Sequence, residues 1–277
     1  MVDLKKNLFH SAISRTNMEP SFLFCVVHNN PFLDPQEVAF DENAGTFVNP
    51  RLTRKYSGVT VRLAHAFYPK YKAKPYRYYK KKSKNKKCKQ SGQERGKTID
   101  RQLTRWALGS VASCSKCQEL RQGLDLVSNS TNLPVRLCRD PYATAVRAKL
   151  TKLRLVPVAS QVVVFYDSIA MATAVDLVCR DSNGDYVLIE VKSGFDQNLR
   201  RSSGSRLQKP FEHQFDCPLN QFHLQLLVTS ILFRQTFPQC KENLAWPQIL
   251  VTNAAGCESI PLAKWAVTKS DTVIDYM

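Results

Sequence analysis

The stretch Asp176-Leu-Val-Cys-Arg-Asp-Ser-Asn-Gly-Asp-Tyr-Val-Leu-Ile-Glu190-Val-Lys192 constrains this chain more than any other. Val175–Arg180 and Tyr186–Val191 are β-branched and apolar runs, and Ser182-Asn183-Gly184 between them is a hairpin signal. A three-residue loop with Gly184 in the left-handed position pairs Asp181 with Asp185 and sets Asp176 opposite Glu190. Directly opposed side chains share a face, and Lys192, two residues beyond Glu190, joins them. The other face then carries Leu177, Cys179, Val187, Ile189 and Val191, a set fit for a core. A two-residue turn at Asn183-Gly184 shifts the register by one and strands Asp176 among those apolar side chains. The longer loop leaves no stray charge in the core, so it is the expected register.

Two carboxylates and an ammonium on one face are suited to a hard divalent cation, Mg2+ or Mn2+, and to chemistry on a phosphate. The lysine is placed to orient or deprotonate an attacking water. Taken alone, Glu-x-Lys on a strand also suits a solvent-facing hairpin. The upstream Asp176 and the apolar opposite face favour the chemical reading.

These residues resemble the PD-(D/E)xK nuclease superfamily, and more narrowly its RecB-like and lambda-exonuclease-like branch. Ala174-Val175-Asp176 is similar to the first acidic motif without its proline, and Ile189-Glu190-Val191-Lys192 to the second. Leu219-Asn-Gln221-Phe-His-Leu-Gln225-Leu-Leu-Val-Thr229 resembles the family's glutamine helix, with Gln225 the better candidate; Thr229 stands where the family has a tyrosine. Gly96-Lys-Thr-Ile-Asp100-Arg-Gln-Leu103 resembles the first helix of the fold. The resemblance spans about Gly96 to Phe237. It implies an α/β, restriction-endonuclease-like core, a central mixed sheet flanked by helices, preceded here by an N-terminal extension. It further implies a metal-dependent deoxyribonuclease, of exonuclease type in the branch resembled, serving DNA replication, recombination or repair. In that scheme Asp176, Glu190 and the Val191 carbonyl ligate the metal, Asp100 completes the site, Lys192 positions the water, and Gln225 orients Lys192 or the phosphate. A non-cleaving nucleic-acid-binding protein on the same fold and a basic DNA-packaging protein are the competing expectations.

The formal charge of +17 is concentrated. Eleven residues of Lys70–Lys89 are Lys or Arg and none is acidic, which leaves +6 for the rest. Such a run cannot form a core and is expected to be a flexible arm. It reads either as a linker or nuclear-localisation signal, or as a phosphate-binding arm using Lys80, Lys81, Lys82, Lys84, Lys86 and Lys87, with tyrosines such as Tyr78 free to stack on bases. A second basic cluster, Arg200, Arg201, Arg206 and Lys209, follows the Glu-x-Lys strand in a Ser/Gly-rich loop placed to reach a nucleic-acid backbone.

The expected partition is an extension over 1–69, the basic arm over 70–95 and the catalytic domain over 96–277. Ser21–Val27 and Val59–Leu63 read as short strands, Thr98–Leu108 and Tyr142–Leu153 as helices, and Gln161–Tyr166 and Ala170–Val178 as the first strands of the sheet. Gln221–Phe233 reads as a buried helix and Ala245–Thr252 as a last strand. Nine scattered cysteines fit a reducing, intracellular setting, nuclear if the basic run is an import signal. Cys114-x-x-Cys117 is at most half a metal site. His213 and His223 read as surface or packing residues, and no apolar run is long enough to span a membrane.

Overall fold

The computed structural model describes Phe32 and residues 37–41, 44–69, 92–111, 140–194, 198–202, 204–253 and 255–277. Lys70–Lys89, Ser21–Val27, Cys114 and Cys117 lie outside the described residues. Three short strands come first, β1 (Ala39–Asp41), β2 (Thr46–Asn49) and β3 (Arg54–Gly58), followed by helix α1 (Val59–Ala66). Helices α2 (Gly92–Val111) and α3 (Pro141–Lys152) precede β4 (Val156–Tyr166), β5 (Met171–Arg180) and β6 (Tyr186–Ser193). The long helix α4 (Pro218–Thr236), strands β7 (Gln248–Asn253) and β8 (Gly256–Pro261), and the short helices α5 (Lys264–Val267) and α6 (Ser270–Val273) complete the order.

The result is an α/β architecture around one mixed, open, eight-stranded sheet. Strand β5 lies at its centre. Along one edge it pairs antiparallel with β4 from end to end. Its other edge is divided: β3 runs parallel to the first two residues, at Ser57↔Met171 and Gly58↔Ala172, and β6 runs antiparallel to the last four, from Leu177↔Ile189 to Arg180↔Tyr186. Strand β7 then adds parallel to β6, and β8 antiparallel to β7. Because β4 pairs among the described residues only with β5, it can hold Pro157 without losing a ladder donor on a second side.

Helices cover both faces, as a sheet with two apolar faces requires. Leu177, Cys179, Val187, Ile189 and Leu250 pack against Ile99 and Leu103 of α2 and Val146 and Leu150 of α3. The opposite face, with Val162, Val175, Val178, Leu188 and Ile249, meets Leu224, Leu227, Val228 and Leu232 of α4 and Leu63 of α1. Helix α4 is buried nearly all round because it is wedged between the sheet and α1. Helix α3 is held at its start by Asp140, whose Oδ1 accepts from the Tyr142 and Ala143 amides, with Pro141 in the first turn.

Three sequence expectations are corrected. Val59–Leu63 is helical, since Val59, Leu63 and the following Phe67 form one buried stripe at helical spacing, and that burial outweighs the strand preference of Val59-Thr-Val61. Strand β4 begins at Val156, five residues before Gln161. The last expected strand begins at Gln248, since Ala245 forms only a backbone bond to the Tyr186 carbonyl. The segment before the basic run shares the main sheet and core: Phe32 stacks edge-on against Tyr186 and Phe237, and Arg62 donates to the carbonyls of Ile169 and Met277. Among the described residues no helix is long and apolar enough to cross a membrane.

The β5–β6 hairpin has the expected three-residue register, with Gly184 at φ +88° and the Asp181 carboxylate accepting from the Asn183 and Asp185 amides. No atom lies within 4 Å of a Cβ built on Gly184, so its role is conformational and not steric. Gly184→Ala should therefore lower the unfolding free energy by roughly 1–2 kcal/mol, the cost of a left-handed non-glycine residue, and Gly184→Asn by less, because Asn tolerates that region. Denaturant titration of the three proteins measures this, and equal stabilities would refute the register argument.

Candidate active site

Strands β5 and β6 stop exchanging backbone hydrogen bonds at Leu177↔Ile189 and separate beyond it. Asp176 and Glu190 are the next residues along, on the face that α4 covers. At the point of separation the Val191 amide donates to Asp176 Oδ2 at 2.8 Å, so the carboxylate replaces a backbone acceptor. Glu190 is buried, with 3% of its surface exposed, and its Oε1 lies 2.5 Å from Lys192 Nζ. Lys192 also sits 4.8 Å from the centre of the Phe222 ring, a cation–π contact from α4.

Gln225 joins the acid to the base. Its Nε2 donates to Glu190 Oε1 at 2.7 Å, and its Oε1 accepts from Lys192 Nζ at 3.1 Å. One amide thus fixes the orientation of both side chains. Gln221, one turn earlier on α4, is turned away and donates to Asp216 at 2.7 Å. Thr229, one turn later, lies in the core behind the site, and among the described residues its hydroxyl is a buried polar atom without a hydrogen-bond partner.

Asp100 enters from α2, within electrostatic reach of Glu190 and Lys192. Burial first, and the Glu190 charge second, raise its carboxyl to about 6, against an opposing pull from Lys192. Asp176 is raised well above the ordinary carboxyl range by burial, then by Glu190 and Asp100; Lys192 and the Val191 amide partly offset this. Burial alone would lower Lys192, yet Glu190 and Asp176 more than compensate and raise it, so the ammonium is retained.

Three carboxyl groups and one ammonium leave the cleft with surplus negative charge when all are ionised. That surplus fits a divalent cation. Among the described residues no three His, Cys, Asp or Glu side chains surround a single point at ligand spacing, and Lys192 lies directly against Glu190. The donors available are therefore the Asp176 and Glu190 carboxylates and the Val191 carbonyl, with Asp100 adjacent.

The other expected residues are dispersed. Arg200, Arg201, Arg206 and Lys209 are exposed on the loop after β6, which a bond from the Leu219 amide to the Leu199 carbonyl ties to the start of α4. Arg200 pairs with Glu258 at 3.5 Å, and Arg206 stacks 4.4 Å over Phe215 while donating to the His213 carbonyl. Lys80, Lys81, Lys82, Lys84, Lys86 and Lys87 lie outside the described residues. His223 is a packing residue: its Nδ1 accepts from the Ala263 amide at 3.3 Å, and burial holds its pKa down to about 4. Sequence reasoning missed Gln161, whose amide reaches Asp176 Oδ1 at 3.5 Å. The available signal is the polar pair Ser160-Gln161 interrupting the otherwise apolar run Val156–Tyr166.

Comparison with protein-family descriptions and with curated proteins finds no match to this chain.

The raised Asp100 carboxyl has a consequence for stability. A carboxyl with a folded pKa near 6 and an ordinary unfolded value near 3.8 holds its proton more tightly when folded. Its contribution is present below the unfolded value and is lost as pH rises through the folded one. Metal-free protein should thus lose stability between about pH 4 and 6, and Asp100→Asn should remove that part of the slope. After discount for partial solvent screening, the gain at pH 7 should be roughly 1–2 kcal/mol. Denaturant midpoints of both proteins across pH 4–8 in a chelator measure it, and parallel profiles would refute the assignment.

Proposed function

We propose that this chain is a metal-dependent DNA nuclease built on a restriction-endonuclease-like core, hydrolysing phosphodiester bonds with Mg2+ or Mn2+. The observation that carries the reading is the cluster of buried Glu190 with half-buried Asp176 and Lys192 at the opening between two strands, with Gln225 hydrogen-bonded to both Glu190 and Lys192. A merely structural ion pair has no use for a second and third half-buried carboxyl beside it, both raised by burial and by the Glu190 charge. The division of the β5 edge between β3 and β6 leaves the stretch of β5 that ends at Asp176 without a strand partner on that side.

Asp176, Glu190 and the Val191 carbonyl would hold the cation, with Asp100 completing the set. Bound there, a divalent cation supplies charge neutralisation at the phosphate and acidifies water. Lys192, held as the ammonium, orients the attacking water and can donate a proton from Nζ to the departing oxygen. Gln225 fixes the direction of Nζ through its Oε1 and keeps Glu190 turned toward the cleft. Burial of the group limits competing solvent and strengthens each electrostatic contact. Arg200, Arg201, Arg206 and Lys209 are assigned to the DNA backbone, together with the basic run, whose further use as a nuclear import signal belongs to the same reading.

The deciding experiment is digestion of linear and circular, single- and double-stranded DNA with Mg2+ or with chelator. Metal-dependent cleavage is expected, and restriction to linear substrates would identify an exonuclease. Lys192→Ala should reduce turnover by roughly 10²–10⁴-fold, the range for loss of a positioned proton-transfer group, while DNA binding persists. Wild-type turnover in that variant would reject the mechanism. Binding without cleavage by the unaltered protein would assign it to nucleic-acid binding alone.

A separate measurement addresses the basic run. Each phosphate contact contributes a slope of about −0.7 to −0.9 in log affinity against log salt. Deletion of Lys70–Lys89 should flatten the slope and weaken binding to unrelated sequences alike, with turnover at saturating DNA retained. An unchanged slope would confine the run to linker or import duty.

A further inference from the structure

Apart from a register shift between Pro157 and Ala159, strands β4 and β5 each break their inside–outside alternation once more, and these two breaks face each other. In β4, Ala159 and Val162 both enter the core under α4, whereas two residues of the same strand face are ordinarily separated by an even number. In β5, Val175 and Val178 do the same. The registers Ser160↔Leu177 and Val162↔Val175 bracket the irregularity and set Gln161 against Asp176.

Gln161 has φ +53°, a left-handed backbone inside a strand, where a non-glycine residue is uncommon. Its neighbours hold it there. Ser160 Oγ is hydrogen-bonded to Thr104 Oγ1 of α2 at 2.6 Å, and Val162 is buried on the α4 side. The backbone must change faces between them, and Gln161 is where it does. The change leaves the side chain exposed at the cleft and carries its Nε2 to 3.5 Å from Asp176 Oδ1, while the Val191 amide holds Oδ2.

We infer that Gln161 is a positioning residue for Asp176: the left-handed turn aims its amide at one carboxylate oxygen while Val191 holds the other, fixing the plane in which Asp176 meets a divalent cation. This rests on the nuclease reading above. Groups that orient a ligating carboxylate commonly affect metal affinity or activity by 10- to 100-fold. The weaker end suits a long bond from an exposed side chain.

The test uses Mn2+ binding by the full chain, followed by electron paramagnetic resonance, together with steady-state cleavage of linear DNA. Gln161→Gly accepts the left-handed backbone, so its melting temperature should equal or exceed that of the unaltered protein. Its Mn2+ affinity should nonetheless fall by about tenfold, kcat should fall at limiting Mn2+ and recover at high Mn2+, and KM for DNA should be unchanged. Gln161→Asn also tolerates the backbone but falls one methylene short, and should show the same pattern. Wild-type Mn2+ affinity and turnover in Gln161→Gly would overturn the inference alone, provided that Asp176→Ala abolishes binding. Failure of the unaltered protein to bind Mn2+, or full binding by Asp176→Ala, would reject the nuclease reading and this inference with it.

Discussion

The separation of β5 from β6 beyond Leu177↔Ile189 is the feature on which the site depends. Each residue of a strand brings an amide that must find an acceptor, and a ladder that stops inside a protein leaves donors without one. Here the Val191 amide is satisfied by Asp176 Oδ2, so one carboxylate both ends the ladder and faces the opening. That arrangement ties the chemistry to the fold. Any change that closed the two strands would restore a backbone bond and remove the acidic face together.

The opening is expensive in electrostatic terms, since Asp100, Asp176 and Glu190 come from two helix and strand layers into one partly dry space. Burial and then the Glu190 charge raise Asp176 and Asp100, while Glu190 and Asp176 together hold the proton on Lys192. Gln225 suits this setting because an amide can donate to Glu190 and accept from Lys192 without adding charge. A carboxylate at 225 would add a fourth acid, and an aliphatic residue would leave Glu190 with fewer partners.

The covering layers explain how such a group is tolerated. Helices α2 and α3 on one face and α4 with α1 on the other bury two apolar cores, and the sheet between them is held by strand pairing on both sides of the polar patch. Pairing of β3 with the start of β5 draws residues before the basic run into the same sheet. The ends of β5 are thereby fixed by different partners, and only its middle, where Asp176 stands, lacks a neighbour along that edge.

The hairpin register was legible because side chains alternate with period two, and only one loop length kept Asp176 out of the Leu177–Cys179 face while Gly184 supplied the left-handed turn. The burial of α4 was legible from its apolar length, and Gln225 from its spacing within that helix. Periodicity states which face a residue occupies, not which element lies against it. Thus α1 was misread from the β-branched Val59-Thr-Val61, because its helical stripe acquires meaning only when Val59, Leu63 and Phe67 meet the α4 side of the sheet. The parallel contact of β3 with β5 joins residues more than a hundred positions apart, and no local pattern specifies it. The role of Gln161 is hidden from the sequence for the same reason: alternation breaks there because Ser160 is claimed by α2 and Val162 by the opposite core, a competition between layers that exists only once the chain has folded.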